Sequence, residues 1–263
     1  MQPMLNIAVR AARRAGDLIV RSLDRRRELE VSVKQRNEFA TEVDRAAEAE
    51  IITMIRGFHP DHAFIGEESG QQGRSDFEWV IDPLDGTTNF LHGFPQFAVS
   101  LALRIRGRLE VGVVYDPLRQ ELFTAERGGG TQLDGRRVRV SEVRELAESL
   151  IGTGFPYREE ARLEVYLDMF RNLTRRCHGL RRPGSAALDL AYVAAGRLDG
   201  FWEMGLKPWD MAAGCLLISE AGGMVTDLHG GAKQLEVGDI VAGNPRVHAA
   251  LLRELGRSVP KVD

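Results

Sequence analysis

Two aspartates three residues apart, Asp82 and Asp85, lie in the run Trp79-Val-Ile-Asp-Pro-Leu-Asp-Gly-Thr-Thr-Asn-Phe90. An apolar stretch ends at Asp82. Pro83 has no N–H to give a sheet ladder, so the chain is expected to leave the sheet there. Asp85-Gly86 then turns it, and Thr87 and Thr88 follow. Two carboxylates on a rigid turn at a strand end can converge on one cation, and the carbonyl oxygen of Leu84 between them could add a third ligand. Hard cations such as Mg²⁺ take oxygen sets of this kind. The same residues also make ordinary tight turns, because Asp, Pro and Gly favour turns for their own reasons.

Two other acidic places follow short apolar runs or open helices. Glu67 and Glu68 sit in Gly66-Glu-Glu-Ser-Gly70, a loop whose acids would by themselves read as solvated. Asp210 follows Trp209 at the start of a long apolar helix, where the simplest role for an aspartate is an N-cap. Histidine offers no rival set, because positions 59, 62, 92, 178, 229 and 248 contain no H-x-x-x-H pair. The chain has neither a G-x-x-x-x-G-K-[ST] phosphate loop nor a G-x-S-x-G elbow. Cys177 and Cys215 form no C-x-x-C pair and read as idle thiols.

The elements that must position these acids can be read from periodicity. Leu5, Ala8, Ala12, Ile19 and Leu23 recur at helical spacing and predict a helix over 3–23, with Pro3 at its first turn. Its other face carries Arg10, Arg13, Arg14 and Arg21, and Arg25-Arg26-Arg27 follow. A second helix is expected over 44–58. Strands are expected at 63–66, 78–82, 97–105, 109–115, 121–125 and 138–140, with Arg106-Gly107-Arg108 as a hairpin turn. Beyond residue 148, strands at 149–152, 201–203, 224–226 and 240–242 alternate with helices at 159–176, 185–195, 210–221 and 245–255. Mixed elements of this kind imply an α/β or α+β layered architecture. No linker or repeat interrupts the chain, so a single domain over 1–263 is expected, with closely joined halves of about 1–148 and 149–263.

The 263 residues carry a net charge of −3, which argues against a surface built wholly for nucleic acid. The N-terminal segment has arginines where a signal peptide has its apolar core, and no run approaches a membrane span. A cytoplasmic protein with no membrane association is the expectation.

The three acidic motifs, in this order and with long matching flanks at Trp79–Phe90 and Trp209–Gly223, resemble the inositol monophosphatase family of metal-dependent, lithium-sensitive phosphatases. The resemblance covers essentially the whole chain and implies a layered αβαβα sandwich. It implies two or three Mg²⁺ per site: Glu67, Asp82 and the Leu84 carbonyl for one, and Asp82, Asp85 and Asp210 for a second. Thr87 with Glu67 would orient the attacking water, and Asp44 would support the metal site. The amides of Gly86, Thr87 and Thr88 would face the phosphate, while Gly184, Ser185, Ala186 and Glu203 would contact substrate hydroxyls. Lys34 matches a loop lysine of the family, and Glu38 stands where the family often has Asp. The implied reaction is hydrolysis of a small phosphorylated polyol, myo-inositol monophosphate first. Fructose bisphosphate, 3′-phosphoadenosine phosphate and histidinol phosphate are alternatives on the same chemistry. The resemblance also implies a homodimer. A bacterial branch of the family is associated with the ribosomal RNA transcription antitermination machinery, so a partner there, or RNA itself, is a further expectation, for which the arginine face of the first helix is a candidate.

Overall fold

The computed structural model of the chain describes residues 2–28, 31–35, 38–157 and 160–258, with side chains described at 2–25, 41–157 and 161–258. Its architecture follows from which faces are apolar. Helix α1 (Gln2–Ser22) buries Ile7, Ala8, Ala11, Ala12, Ala15 and Ile19 along one stripe. Small residues let it lie close to its neighbours: a Cβ on Gly16 would sit 2.6 Å from the Tyr115 ring. Helix α2 (Glu42–Phe58) buries Val43, Ala47, Ile51, Ile52 and Ile55. Thr41 caps it, its hydroxyl oxygen accepting from the amides of Val43 and Asp44.

These two helices cover one face of an eight-stranded sheet. Its strands are β3 (Ala63–Gly66), β4 (Gly70–Gln72), β5 (Phe77–Asp85), β6 (Ala98–Ile105), β7 (Arg108–Asp116), β8 (Glu121–Glu126), β9 (Gly130–Leu133) and β10 (Arg136–Val138). Their order is β10-β9-β8-β7-β6-β5-β3-β4, and only β3 and β5 pair in parallel. A two-stranded ribbon, β1 (Val31–Gln35) with β2 (Glu38–Thr41), precedes α2.

The opposite face of the large sheet packs on α5 (Ala186–Ala194) and α6 (Pro208–Glu220). Both helices are apolar almost all round, the pattern of a helix buried on every side. Gly214 lets them cross closely, since a Cβ there would meet Leu190 Cβ at 2.5 Å. Their outer side meets a five-stranded sheet of β11 (Leu150–Thr153), β12 (Gly179–Arg181), β13 (Gly200–Glu203), β14 (Met224–Thr226) and β15 (Ile240–Gly243). The order is β12-β11-β13-β15-β14. Helices α4 (Leu163–Thr174) and α8 (Pro245–Leu255) close the far face. Short helices α3 (Thr87–His92) and α7 (Gln234–Val237) complete the set. The layers are therefore α, β, α, β, α, as the resemblance implies.

Several expectations need correction. The sheet does not end at Asp82, because pairing of β5 with β6 breaks after Asp82↔Ser100 and resumes at Asp85↔Ala98. A register shift accommodates Pro83, so the proline makes an irregularity in the strand rather than an exit from it. Asp210 is not the N-cap of α6 but its third residue. Pro208 takes the first position and Lys207 the cap, and Asp210 Oδ2 accepts from the Lys207 amide at 2.7 Å. The strand expected at 138–140 lies at Arg136–Val138, and the helix expected from residue 159 begins at Leu163 after a 3₁₀ turn. The sequence reading also lacked α3, α7 and strands β1, β2, β4, β9 and β12, all six residues or shorter and too brief to show periodicity.

Candidate active site

The acids meet where the large sheet, the middle helices and the small sheet come together. Strand β3 runs parallel to β5, so both deliver their C-terminal ends to one edge: Glu67 follows β3, and its amide donates to Ile81 O on β5 at 3.1 Å. Asp82 is 1 % exposed, and its Oδ1 accepts from the Leu84 amide at 3.0 Å, which folds the Asp82–Asp85 turn back on itself. Asp85 Oδ2 accepts from Ser185 Oγ at 2.6 Å and from the Ala187 amide at 2.8 Å, at the start of α5. Asp210 arrives on the first turn of α6. Both helices thus point their positive ends at the acids.

One carboxylate oxygen each from Asp82, Asp85 and Asp210 lies within 4.8 Å of the others, in the one such group of metal-ligating side chains among the described residues. The Glu67 side chain hydrogen-bonds that of Asp82 and joins them. Burial, then the charges of Glu67, Asp85 and Asp210, push the Asp82 carboxyl well above its ordinary range. Burial, then Asp210, push Asp85 up to about 7. Carboxylates this close cannot all ionise unless a cation sits among them. The donor set is all oxygen, which fits a hard dication rather than zinc or copper.

Thr87, at the first position of α3, donates its hydroxyl toward Asp44 Oδ1 at 2.9 Å and Leu84 O at 3.1 Å. The carboxylate is the stronger acceptor and takes the hydrogen bond. Asp44 is itself held by the Thr41 amide at 2.8 Å and the Thr41 hydroxyl, and burial raises its pKa. The α2 capping box therefore fixes the group that orients Thr87. Gly86 before Thr87 has φ +99°, and a Cβ there would stand 2.9 Å from Gln96 O. With Gly86 as the cap of a six-residue helix, the amides of Thr87 and Thr88 have no acceptor within α3.

A pocket of about 150 Å³ opens beside Asp85 and Asp210, lined among others by Gly184, Ser185, Ala186 and Glu203. These expected substrate contacts are thus brought together. The Ser185 hydroxyl itself is engaged with Asp85, and Ser185 caps α5. Gly154 makes room for Glu203, because a Cβ there would meet the Glu203 carboxylate at 2.1 Å. Lys34 lies on β1 and Glu38 on β2, but their side chains lie outside the described residues.

Three positioning residues escaped the sequence reading. Asn89 Nδ2 donates to Gln96 O at 2.7 Å, Pro183 O at 2.9 Å and Gly184 O at 3.1 Å, tying the α3 turn to the pocket loop. Arg182 lies over the rings of Phe155 and Tyr157 on the pocket wall. Glu48 is buried on α2, and its two oxygens accept from the amides of Glu68 at 3.0 Å and Ser69 at 2.9 Å. Glu48 was detectable: it stands four residues after Asp44, so two acids share a face with Val43, Ala47 and Ile51. Glu48→Ala is expected to leave those amides unpaired and weaken the binding of a divalent cation by roughly 10- to 100-fold, the usual effect of losing an outer support. Glu48→Gln, which keeps one acceptor, should fall between. A Mg²⁺ titration of activity checks this, and unchanged half-saturation in Glu48→Ala would refute it.

An all-oxygen acidic centre beside a polar pocket, on a five-layer αβαβα frame, is the arrangement of a metal-dependent phosphatase, and the chain belongs to the inositol monophosphatase family, whose model matches residues 1–260. Within that family it is similar to the Nus factor SuhB of Escherichia coli strain K12, at 56 % identity over 97 % of this chain and 96 % of the relative. The crystal structure of extragenic suppressor protein suhB from Bartonella henselae superposes with a TM-score of 0.95 at 45 % identity, covering 98 % of this chain and 100 % of that one. The inositol monophosphatase from Anabaena (Nostoc) sp. PCC 7120 does so with a TM-score of 0.88 at 42 % identity, covering 98 % and 97 %.

Proposed function

We propose that this phosphatase hydrolyses phosphate monoesters of small polyols, with myo-inositol monophosphate as the leading substrate and Mg²⁺ as the cation. The observation that carries the reading is the convergence of Asp82, Asp85 and Asp210 within 4.8 Å, beside a pocket whose wall bears Glu203. Glu67, Asp82, Asp85, Asp210 and the Leu84 carbonyl would hold two or three Mg²⁺. Bound there, the cations would neutralise the phosphate, make hydroxide available near neutral pH and stabilise the leaving oxygen.

The chain's own groups do the rest. Thr87, its proton committed to Asp44, presents a lone pair to the attacking water, and Glu67 orients that water from the other side. Water oxygen bonds phosphorus as the ester P–O bond breaks, giving the polyol and inorganic phosphate. The amides of Gly86, Thr87 and Thr88 face the phosphate oxygens. Gly184 and Ala186 shape the pocket for the alcohol part, Ser185 acts through Asp85, and Glu203 accepts from ring hydroxyls. The active molecule is a homodimer. The two halves, about 1–148 and 149–263, are closely joined: the large sheet ends at Val138, the small sheet starts at Leu150, and the site draws on both.

Phosphate release from a panel of inositol, sugar and nucleotide monoesters, with and without Mg²⁺, tests the reading. Mg²⁺-dependent release led by inositol phosphate is expected, and no release from any monoester would overturn it. Glu203→Ala should raise KM for inositol phosphate by roughly 10- to 100-fold, the range for hydrogen bonds to a charged acceptor. For 4-nitrophenyl phosphate, which has no ring hydroxyl, KM should move far less. Equal changes would assign Glu203 to the cation centre.

A second reading is favoured by the relatives at 48–56 % identity that carry the name Nus factor SuhB. On it, the protein also binds a partner in transcription antitermination, or RNA. The arginines on α1 stay exposed, each with a contact within the chain. Arg14 pairs with Glu50, Arg10 and Arg13 lie over Phe58 and Tyr115, and Arg21 donates to Asp17 O. The side chains of Arg26 and Arg27 lie outside the described residues. No helix among the described residues is long and apolar enough to cross a membrane, and we assign the protein to the cytoplasm.

A further inference from the structure

Asp189 has no task in the chemistry above. It is the one acid within α5, a helix otherwise built of Ala, Leu, Tyr and Val, and it is 1 % exposed. Other buried acids are tied to the protein: Asp199 accepts from the Leu150 amide, Asp116 from the amides of Leu118 and Arg119, and Asp227 from those of His229, Gly231 and Lys233. Asp189 Oδ1 has no hydrogen-bond partner among the described residues. A buried oxygen left unpaired is destabilising, and native proteins keep few of them without a use.

Its position supplies the use. Asp189 lines the pocket together with Arg182, Ser185 and Glu203. The charges that act on it are Glu203 and Asp85 on one side of the account and Arg182 on the other. It therefore shares the pocket with Asp85 of the cation centre and with Glu203, and feels the charge of both. We propose that Asp189 is a specificity-determining residue that hydrogen-bonds a second hydroxyl of the alcohol part of the substrate, so that the pocket selects monoesters of polyols over monoesters of simple alcohols and phenols. This rests on the phosphatase reading. A neutral hydroxyl is the matching partner, because the alcohol part of the proposed substrate carries hydroxyls and no charge. Burial, then Glu203 and Asp85, push the Asp189 carboxyl well above its ordinary range, which likewise suits a neutral partner. A hydroxyl both donates and accepts, so it pairs the carboxyl in either state.

The test uses the full chain with Mg²⁺ and compares kcat/KM for glycerol 2-phosphate and myo-inositol 1-phosphate with that for 4-nitrophenyl phosphate. The ratio of polyol to nitrophenyl ester is the readout. The wild-type ratio should favour polyols. Asp189→Leu keeps the size but removes both oxygens, and should cut the ratio by about 10- to 100-fold, mostly through KM. Asp189→Asn, which keeps a donor and an acceptor, should cut it less, and it serves equally if the leucine variant does not fold. Thermal melting separates a structural role: Asp189→Leu removes an unpaired buried group, so its melting temperature should not fall below that of the wild type. A ratio unchanged in both variants, or losses equal on both substrate classes, would overturn the proposal. Wild-type protein that releases phosphate from no monoester would overturn the phosphatase reading and this proposal with it, a failure visible before any variant is compared.

Discussion

Asp82→Asn is expected to lower kcat by roughly 10³-fold, the scale for removing one fixed electrostatic group from a centre that handles developing charge, and at the same time to stabilise the metal-free protein at alkaline pH. The two effects have one cause. Asp82 faces Glu67, Asp85 and Asp210, so its charge is needed when cations are bound and repulsive when they are not. The sign can be worked from Asp85, whose folded-state pKa of about 7 lies above its ordinary 3.8. Between those values the folded chain holds a proton that the unfolded chain has given up. Stability of the metal-free protein therefore falls as pH rises from about 4 to about 7, and the loss persists above that. Melting curves in EDTA at pH 5 and pH 8 check this. Wild type should lose more stability across the interval than Asp82→Asn, and an equal loss would mean that the acids are not coupled as the geometry indicates. The same variant should still capture any transcription partner from cell extract, since the substitution lies inside the site and away from α1. Loss of capture together with turnover would place both functions on one surface.

Removing the divalent cation should have the other large effect. In EDTA, phosphate release should fall to background, and added Mg²⁺ should restore it. Binding must also be visible without turnover. A ligand present at a hundredfold excess over its Kd stabilises the folded state by about 2.7 kcal/mol, which for a chain of this size shifts Tm by roughly 5–10 °C. Mg²⁺ should produce a shift of that order in wild type and a smaller one in Asp82→Asn. Full turnover in EDTA, or an identical Mg²⁺ shift in both proteins, would rule out the acidic cluster as the cation site.

Much of this was legible in the chain itself, for reasons that are local. Amphipathic periodicity placed α1, α2 and α8 to within two residues, because a helix that buries one face must repeat its apolar residues every three or four positions. The Asp82–Asp85 spacing, with proline and glycine around it, marked a turn that could hold a cation. Glu203 and the Gly184–Ala186 run were reached through resemblance rather than through any pattern of their own. The register shift at Pro83 was not legible. Whether a strand ends or resumes after a proline depends on what pairs with the next residues, here Ala98 on β6.

The identity of the acids, then, belonged to the sequence by itself: their types, their spacing within each motif, and the apolar strands and helices that must end beside them are local properties. Their convergence was reached beforehand only through resemblance, since no local pattern carries it, and the tertiary structure is what brings it about. Asp82 and Asp210 are far apart in the chain and meet only because α6 packs between two sheets and starts where β5 irregularly ends. The same is true of Glu48, which reaches the loop after Glu67 because α2 lies across the parallel pair β3 and β5. It is true above all of Asp189, whose unpaired oxygen is a fact about what surrounds it. Hydrogen-bond satisfaction, burial and mutual repulsion are sums over neighbours from separate parts of the chain, so no local pattern can carry them, and the folded arrangement decides them.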